Sequence, residues 1–184
     1  MEHKGTQTLY TPRLVLRQFR LEDAHAVFNN WASDDAVTEY LSWPTHTHAG
    51  ITEIVLKDWV ASYEKPDFYQ WAIEMDGQPV GSISVVQYSD HVCKAELGYC
   101  IGKQWWHQGI TSEALRAVIE FLFNEVGFNR LEALHDVRNP NSGKVMVKCG
   151  MVFEGILRRF GRNNQGICDC AIYGILASDS TKKG

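Results

Sequence analysis

The stretch that decides the fold is residues 96–114, which read ELGYCIGKQWWHQGITSEA. It predicts a strand, then a tight loop that turns at Gly109, then the first turn of a helix. The first backbone N–H groups of a helix have no intrahelical partner and bind phosphate well. Glycine in addition lets the backbone approach a ligand closely. The stretch is therefore typical of a nucleotide or coenzyme site.

The helix after Gly109 has one apolar face. Apolar side chains recur at three- and four-residue intervals from Ala114 to Val126, which is the spacing of a helix packed against a sheet. Hydroxyls and a carboxylate at residues 111–113 are typical of N-terminal capping, and Gly127 predicts the C-terminal end. Because Gly109 alone is weak evidence for a phosphate site, the interpretation depends on the rest of the sequence.

Length and composition limit the classes of protein to which this chain can belong. With 184 residues, 45% of them hydrophobic, we expect a single domain over residues 1–184 with an ordered core over about 9–176. No membrane span or signal peptide is evident, which predicts a cytoplasmic protein without a membrane partner. The five cysteines lack paired metal spacing, so we expect reduced thiols and no metal. A net charge of −4 argues against nucleic-acid binding and agrees with a cationic amine substrate.

The other predicted elements alternate between short strands and a few helices. An Asp-Gly pair at 76–77 predicts a hairpin. Helices are expected at about 21–28, 49–63 and from Asn139 onward, and strands at about 11–19, 71–74, 80–86, 130–135, 152–158 and 169–176, with a turn at 163–166. The dinucleotide-binding fingerprint and the Gly-Lys-Ser/Thr of an ATP-binding loop are both missing from the sequence. We therefore expect an α+β or mixed α/β sheet that differs from the Rossmann fold.

Several motifs together resemble one family. The Gln108-Gly109-Ile110 loop, the Leu131-Glu132-Ala133 strand and the Asn139-Pro140-Asn141-Ser142 segment occur in an order that resembles the GNAT superfamily of acyl-CoA-dependent N-acyltransferases. Residues 11–17, TPRLVLR, resemble the opening strand of its RimJ/RimL-type branch. The resemblance extends from about Leu9 to Leu176. It implies a central, mostly antiparallel sheet that is splayed near its middle and flanked by helices, with the acyl-CoA in the gap.

The resemblance also implies which residues hold acetyl-CoA as co-substrate. Pantetheine is expected along the backbone of the strand, and the pyrophosphate on the amides of the loop and helix start. The implied contacts are Tyr99, Cys100, Ile101, Trp106, His107, Gln108, Gly109, Ile110, Thr111, Ser112, Asn139 and Ser142. Lys103, Lys144, Lys148 and Arg138 are candidates for the adenosine phosphates.

The chemistry implied is direct attack of a neutral amine on the thioester, which needs a base, sometimes an acid, and no metal. Glu96 is the first candidate for the base, acting through water, although it could instead order nearby loops. Glu154 is the second candidate, because it matches a position where some members of the RimJ/RimL branch carry a carboxylate that faces the acceptor pocket. Ser142 matches a serine of the RimJ/RimL branch and is the candidate acid, because Met146 occupies the position of the tyrosine that many members use.

The acceptor is the part that the sequence defines least. We expect an N-acetyltransferase acting on a primary amine, either a protein N-terminus, as in ribosomal-protein acetyltransferases, or a small molecule, with Trp43 and its aromatic neighbours around the acceptor. A polyamine or antibiotic acetyltransferase is an alternative. A non-catalytic acyl-CoA-binding module is another, supported by Met146 at the tyrosine position. A homodimer also remains open.

Overall fold

The computed structural model describes residues 1–180 of the chain. Its centre is an eight-stranded sheet with the order β1-β2-β3-β4-β5-β6-β8-β7. The strands are β1 Leu9–Tyr10, β2 Val15–Arg17, β3 Gln70–Met75, β4 Gln78–Ser89, β5 Lys94–Ile101, β6 Arg130–Asp136, β7 Val152–Asn163 and β8 Gly166–Leu176. All neighbours are antiparallel except β5 and β6. The expected mostly antiparallel sheet is confirmed.

The sheet opens between its two parallel strands. β5 and β6 pair from Lys94 with Arg130 to Leu97 with Ala133, and then diverge. The rest of β5 still pairs with β4, and the rest of β6 pairs with β8. The second half of β5 therefore has one edge that is not covered by a neighbouring strand, which confirms the expected splay.

Helices cover both faces of the sheet. They are α1 Ala24–Val27, α2 Asp35–Thr38, α3 Ala49–Ser62, α4 Ile110–Phe121, α5 Pro140–Lys148 and α6 Ala177–Ser180. α4 continues in a wider turn to Val126 and ends at Gly127, which has φ +89°, as its apolar pattern predicts. Its buried face joins the main core, and α1 and α3 pack with Trp31 and Ala72 in a second cluster. No helix within residues 1–180 is long and apolar enough to cross a membrane.

Several elements differ in length from the sequence prediction, among them β4, which extends from Gln78 to Ser89, and two of these differences have a clear structural cause. The strand expected over residues 11–19 is only β2, because the Thr11 hydroxyl accepts a hydrogen bond from the Leu14 amide and holds residues 11–14 in a turn. The β7–β8 hairpin is longer than expected, and irregular pairing at two places lets β7 continue to Asn163. The predicted turn at 163–166 is confirmed.

Candidate active site

A cavity of about 240 Å³ lies where β5 and β6 diverge. We call it the cleft cavity. It is lined by the end of β5, the loop before α4, the first turn of α4 and one side of α5, together with Val37 and Leu41. Of the residues expected to hold acetyl-CoA, it brings together Tyr99, Cys100, Ile101, Trp106, His107, Gly109, Ile110, Thr111, Ser112, Asn139 and Ser142. Gln108 is the exception and does not line the cleft cavity.

The loop before α4 presents the start of the helix to this cavity. Gly109 is the residue before the helix and has φ +77°, and His107 has φ +61°, a left-handed conformation that is uncommon for a residue with a side chain. No side chain within the described chain caps the helix at Gly109. The N–H groups at the start of α4 therefore point to the cavity together with the positive end of the helix dipole, an arrangement that favours an anion.

The loop at residues 11–13 holds the loop before α4 in place. Glu113 in the first turn of α4 accepts hydrogen bonds from the Thr11 hydroxyl at 2.6 Å and the Arg13 Nε at 2.7 Å. Arg13 Nη1 also donates to the carbonyl of Gln108 at 3.1 Å. Burial raises the pKa of Glu113, but these hydrogen bonds outweigh it and lower the pKa below its usual value. Glu113, predicted as a capping group, thus anchors residues 11–13 to the loop.

The uncovered edge of β5 offers backbone groups to the cavity. The Gly102 amide donates to Val80 of β4 at 2.9 Å, and amides alternate in direction along an antiparallel strand. The amides of Tyr99 and Ile101 therefore face the opening, whereas that of Cys100 faces β4, which corrects its expected backbone contact with pantetheine. The Ile101 carbonyl is already occupied, because the Trp106 indole donates to it at 2.9 Å.

Tyr99 and α5 meet across the opening. The Ser142 hydroxyl donates to the Tyr99 hydroxyl at 3.1 Å, and the latter donates to the Ser142 carbonyl at 3.0 Å. Burial raises the pKa of Tyr99 well above its usual value, so the phenol stays protonated. Asn139 precedes α5 as expected, yet its side chain makes no capping bond to the described backbone. Met146 is buried in the core.

The carboxylates proposed as bases lie outside the cleft cavity. Glu96 lies on β5 and accepts a hydrogen bond from Gln87 at 2.5 Å. Glu154 forms an ion pair with both terminal nitrogens of Arg130, at 2.8 and 2.5 Å. The hydrogen bond to Arg130 lowers the pKa of Glu154. Arg130 thus holds Glu154 at the start of β6, outside the cleft cavity.

The candidate phosphate-binding cations separate in the same way. Lys144 and Lys148 on α5 line the cleft cavity. Arg138 is paired instead with Asp136, with Nη2 2.6 Å from Oδ2. Lys103 is exposed and does not line the cavity. Of the four cations expected from the sequence, two therefore line the cleft cavity.

A second cavity, of about 330 Å³, adjoins the first. We call it the aromatic cavity, since Trp31, Trp43, Trp59 and Tyr99 line it. It shares Leu41, Tyr99 and Cys100 with the cleft cavity. No carboxylate or cationic Lys or Arg from residues 1–180 lines it.

His46 is the imidazole of the aromatic cavity. Its Nδ1 lies 2.7 Å from the Thr52 hydroxyl, and its ring is 5.3 Å from that of Trp43. Burial lowers the pKa of His46, which favours the neutral ring. The lining of the aromatic cavity is therefore uncharged near neutral pH.

Comparison with known proteins agrees with this geometry. Residues 13–152 match the family model for the acetyltransferase (GNAT) domain, which is most of the chain. The chain belongs to the GNAT acetyltransferase family. It is thus an acetyl-CoA-dependent N-acetyltransferase, and the expected class of enzyme is confirmed.

Relatives of this GNAT enzyme include ribosomal-protein acetyltransferases. It is 28% identical over 170 residues to the uncharacterized N-acetyltransferase YoaA of Bacillus subtilis, covering 91% of this chain and 96% of YoaA. It is 32% identical over 77 residues to the ribosomal protein uS5-alanine N-acetyltransferase of Escherichia coli, covering 42% and 39% of the two chains. The structure of RimL, a ribosomal L7/L12 α-N-protein acetyltransferase in complex with coenzyme A, superposes with a TM-score of 0.83 at 18% identity, covering 92% of this chain and 98% of RimL. That likeness shows the fold.

Sequence reasoning missed three contributions to the site. It assigned Tyr99 a backbone role and overlooked the bond of its hydroxyl to Ser142. It also gave no role to His46 or Thr11. The loop at residues 11–13 lies about a hundred positions from Glu113, so no local pattern could have linked them.

Proposed function

We propose that this GNAT enzyme acetylates a primary amine that binds in the aromatic cavity, and that the amine is the N-terminus of a protein such as a ribosomal protein. The observation that carries the proposal is that the cleft cavity and the aromatic cavity meet at Tyr99 and Cys100. A thioester carried along β5 would end at this junction, so the amine and the acetyl group would meet there.

Acetyl-CoA fits the chemistry of the cleft cavity. The start of α4, from Gly109 to Ser112, supplies N–H donors for the pyrophosphate, and Lys144 and Lys148 supply positive charge nearby. The amides of Tyr99 and Ile101 that face the opening suit pantetheine, whose own amides pair with a strand edge in the same way. These are the residues to which we assign acetyl-CoA binding.

The reaction requires the proton of the amine to leave. The amine nitrogen forms a bond to the thioester carbonyl carbon, the C–S bond breaks, and the amine proton passes to a base. We assign this base to Glu96, because it lies on β5, the strand to which we assign the cofactor. Glu96 lines neither cavity, so it acts through water. Ser142, whose hydroxyl already lies at the opening, passes a proton to the departing thiolate and takes one up from solvent, so that it ends the step as a neutral hydroxyl.

The lining of the aromatic cavity bears on the choice of amine. A polyamine carries several positive charges that would be separated from water here without a carboxylate from residues 1–180 to pair with. A protein N-terminus with a small neutral first side chain has one amine and suits an uncharged, aromatic lining. The names of relatives that act on ribosomal proteins support the same choice.

A thiol-release assay with acetyl-CoA tests the proposal. Peptides that begin with alanine or serine should release coenzyme A faster than spermidine does, and the same peptides with blocked N-termini should release none. If spermidine releases coenzyme A and the peptides do not, the proposed class of acceptor is wrong. No release above the rate of acetyl-CoA hydrolysis with every amine would contradict the proposed transfer.

A further inference from the structure

The turn of the β7–β8 hairpin reaches the opposite side of the cleft. The side-chain amide of Asn164 donates to the carbonyls of Thr38 at 2.8 Å and Trp43 at 2.9 Å. Its backbone N–H donates to the carbonyl of Leu41 at 3.2 Å. One residue of the hairpin therefore holds three backbone carbonyls of residues 38–43.

The turn that carries Asn164 is itself fixed. The Asn163 side chain accepts a hydrogen bond from the Gln165 amide at 2.8 Å and donates to Asp136 at 2.7 Å. Gly166 takes φ +97°, which a hairpin turn of this kind requires. Asp136 lies at the end of β6, so the hairpin tip is tied to the sheet. Asn164 is thus presented from a preorganised position.

Residues 38–43 have little regular structure of their own. α2 ends at Thr38, and the next helix, α3, begins only at Ala49. Leu41 lines both cavities, and Trp43 lines the aromatic cavity. The position of this segment therefore determines the shape of the aromatic cavity, and hydrogen bonds from outside the segment help to set it.

We propose that Asn164 is a positioning residue for the acceptor amine: it holds residues 38–43 from the far side of the cleft and so keeps the aromatic cavity in its binding shape. The role in acceptor binding rests on the proposed function, whereas the hold on the segment does not. Asparagine suits the task because its single NH₂ group has two hydrogens, one for each carbonyl. Aspartate has the same shape but has no hydrogen to donate to either carbonyl.

Hydrogen exchange tests the hold directly. The Leu41 amide donates to the Thr38 carbonyl at 2.8 Å and reports on the segment. In Asn164→Asp and Asn164→Ala, we expect it to exchange at least about tenfold faster than in the wild type, because opening needs fewer bonds to break. Gln165→Glu makes the same amide-to-carboxylate change at the next, exposed residue of the turn and should leave exchange unchanged. Equal exchange in all four proteins would overturn the proposal.

Kinetics test the consequence for the acceptor. With the peptide that gives the fastest coenzyme A release, both Asn164 variants should raise the acceptor KM about tenfold, while kcat and the Kd for acetyl-CoA change less than about threefold. An unchanged KM, or a Kd for acetyl-CoA that rises as much as the KM, would show that Asn164 does not position the acceptor. A wild-type enzyme that acetylates no amine would contradict the proposed function, and the exchange result would still decide whether Asn164 holds the segment.

Discussion

The hydroxyl of Ser142 on α5 donates to the hydroxyl of Tyr99 on β5 at 3.1 Å, and the phenol in turn donates to the Ser142 carbonyl at 3.0 Å. The pair joins the two sides of the cleft at the place where the sheet opens. It therefore has a structural use, and under the proposed function it also places a hydroxyl where the thiolate would leave. The two uses can be separated by mutation.

Ser142→Ala removes the hydroxyl but keeps the carbonyl that Tyr99 binds. We expect kcat to fall about tenfold, since a thiolate leaves with little help, while the free energy of unfolding falls by only about 1 kcal/mol. Tyr99→Phe removes both hydrogen bonds and should cost more stability. Stopped-flow thiol release and urea unfolding measure the two effects. A Ser142→Ala enzyme with full kcat would leave Ser142 with a structural role alone.

Glu96→Gln tests the proposed base, and Glu154→Gln is its matched control. If Glu96 relays the amine proton, its variant should lose kcat by at least about a hundredfold with little change in the Kd for acetyl-CoA, because general bases contribute on that scale. Glu154 is held by Arg130, so its variant should keep kcat. Full turnover in Glu96→Gln would show that the proton goes elsewhere.

Trp43→Ala tests the place of the acceptor. Trp43 is half-buried, packs on the second core cluster and lines the aromatic cavity but not the cleft cavity. We expect the acceptor KM to rise and the Kd for acetyl-CoA to stay the same, while Tyr10→Ala, at a residue 77% exposed, should change neither. If calorimetry shows that Trp43→Ala loses acetyl-CoA binding, the assignment of Trp43 to the acceptor site is contradicted.

The lowered pKa of Asp136 predicts how the free energy of unfolding depends on pH. The hydrogen bond from Arg138 is the main cause that lowers the pKa of Asp136 far below its usual value, and Asn163 adds to it. A depressed carboxyl pKa stabilises the fold above the unfolded-state pKa of about 3.9, and this contribution is lost as the pH falls below it. Urea unfolding from pH 7 to pH 3 should therefore show a steeper loss in the wild type than in Asp136→Asn. Parallel profiles would contradict the assignment.

How far the sequence predicted the site depends on how local each feature is. Local sequence patterns specify some features, and these were predicted correctly. They are the turn at Gly109, the start of α4, the Asn-Pro start of α5 and the turn at 163–166. Other features are contacts between residues that lie far apart in the chain. They are the ion pair of Arg13 with Glu113, the hydrogen bond of Ser142 to Tyr99 and the hydrogen bond of Asn164 to Trp43. Such contacts follow from strand order and register, which local patterns do not specify.

The same reason explains two positions where the structure differs from the sequence prediction. Glu154 was expected to face an acceptor because of its resemblance to branch members, but its partner in the structure, Arg130, comes from a different strand. Cys100 was given a backbone contact with pantetheine, whereas its amide faces β4 because directions alternate along the strand. Both differences concern the direction in which a group points, which depends on the neighbouring strand.

Calorimetric titration of acetyl-CoA tests most directly whether acetyl-CoA binds at the start of α4. Gly109 and Gly77 have nearly the same φ, +77° and +79°, so valine at either position causes similar backbone strain, but Gly77 lies in the β3–β4 turn. We predict that the wild type and Gly77→Val bind one acetyl-CoA with a Kd in the micromolar range, and that Gly109→Val binds at least about tenfold more weakly. Equal affinity in a folded Gly109→Val protein would contradict binding at the start of α4.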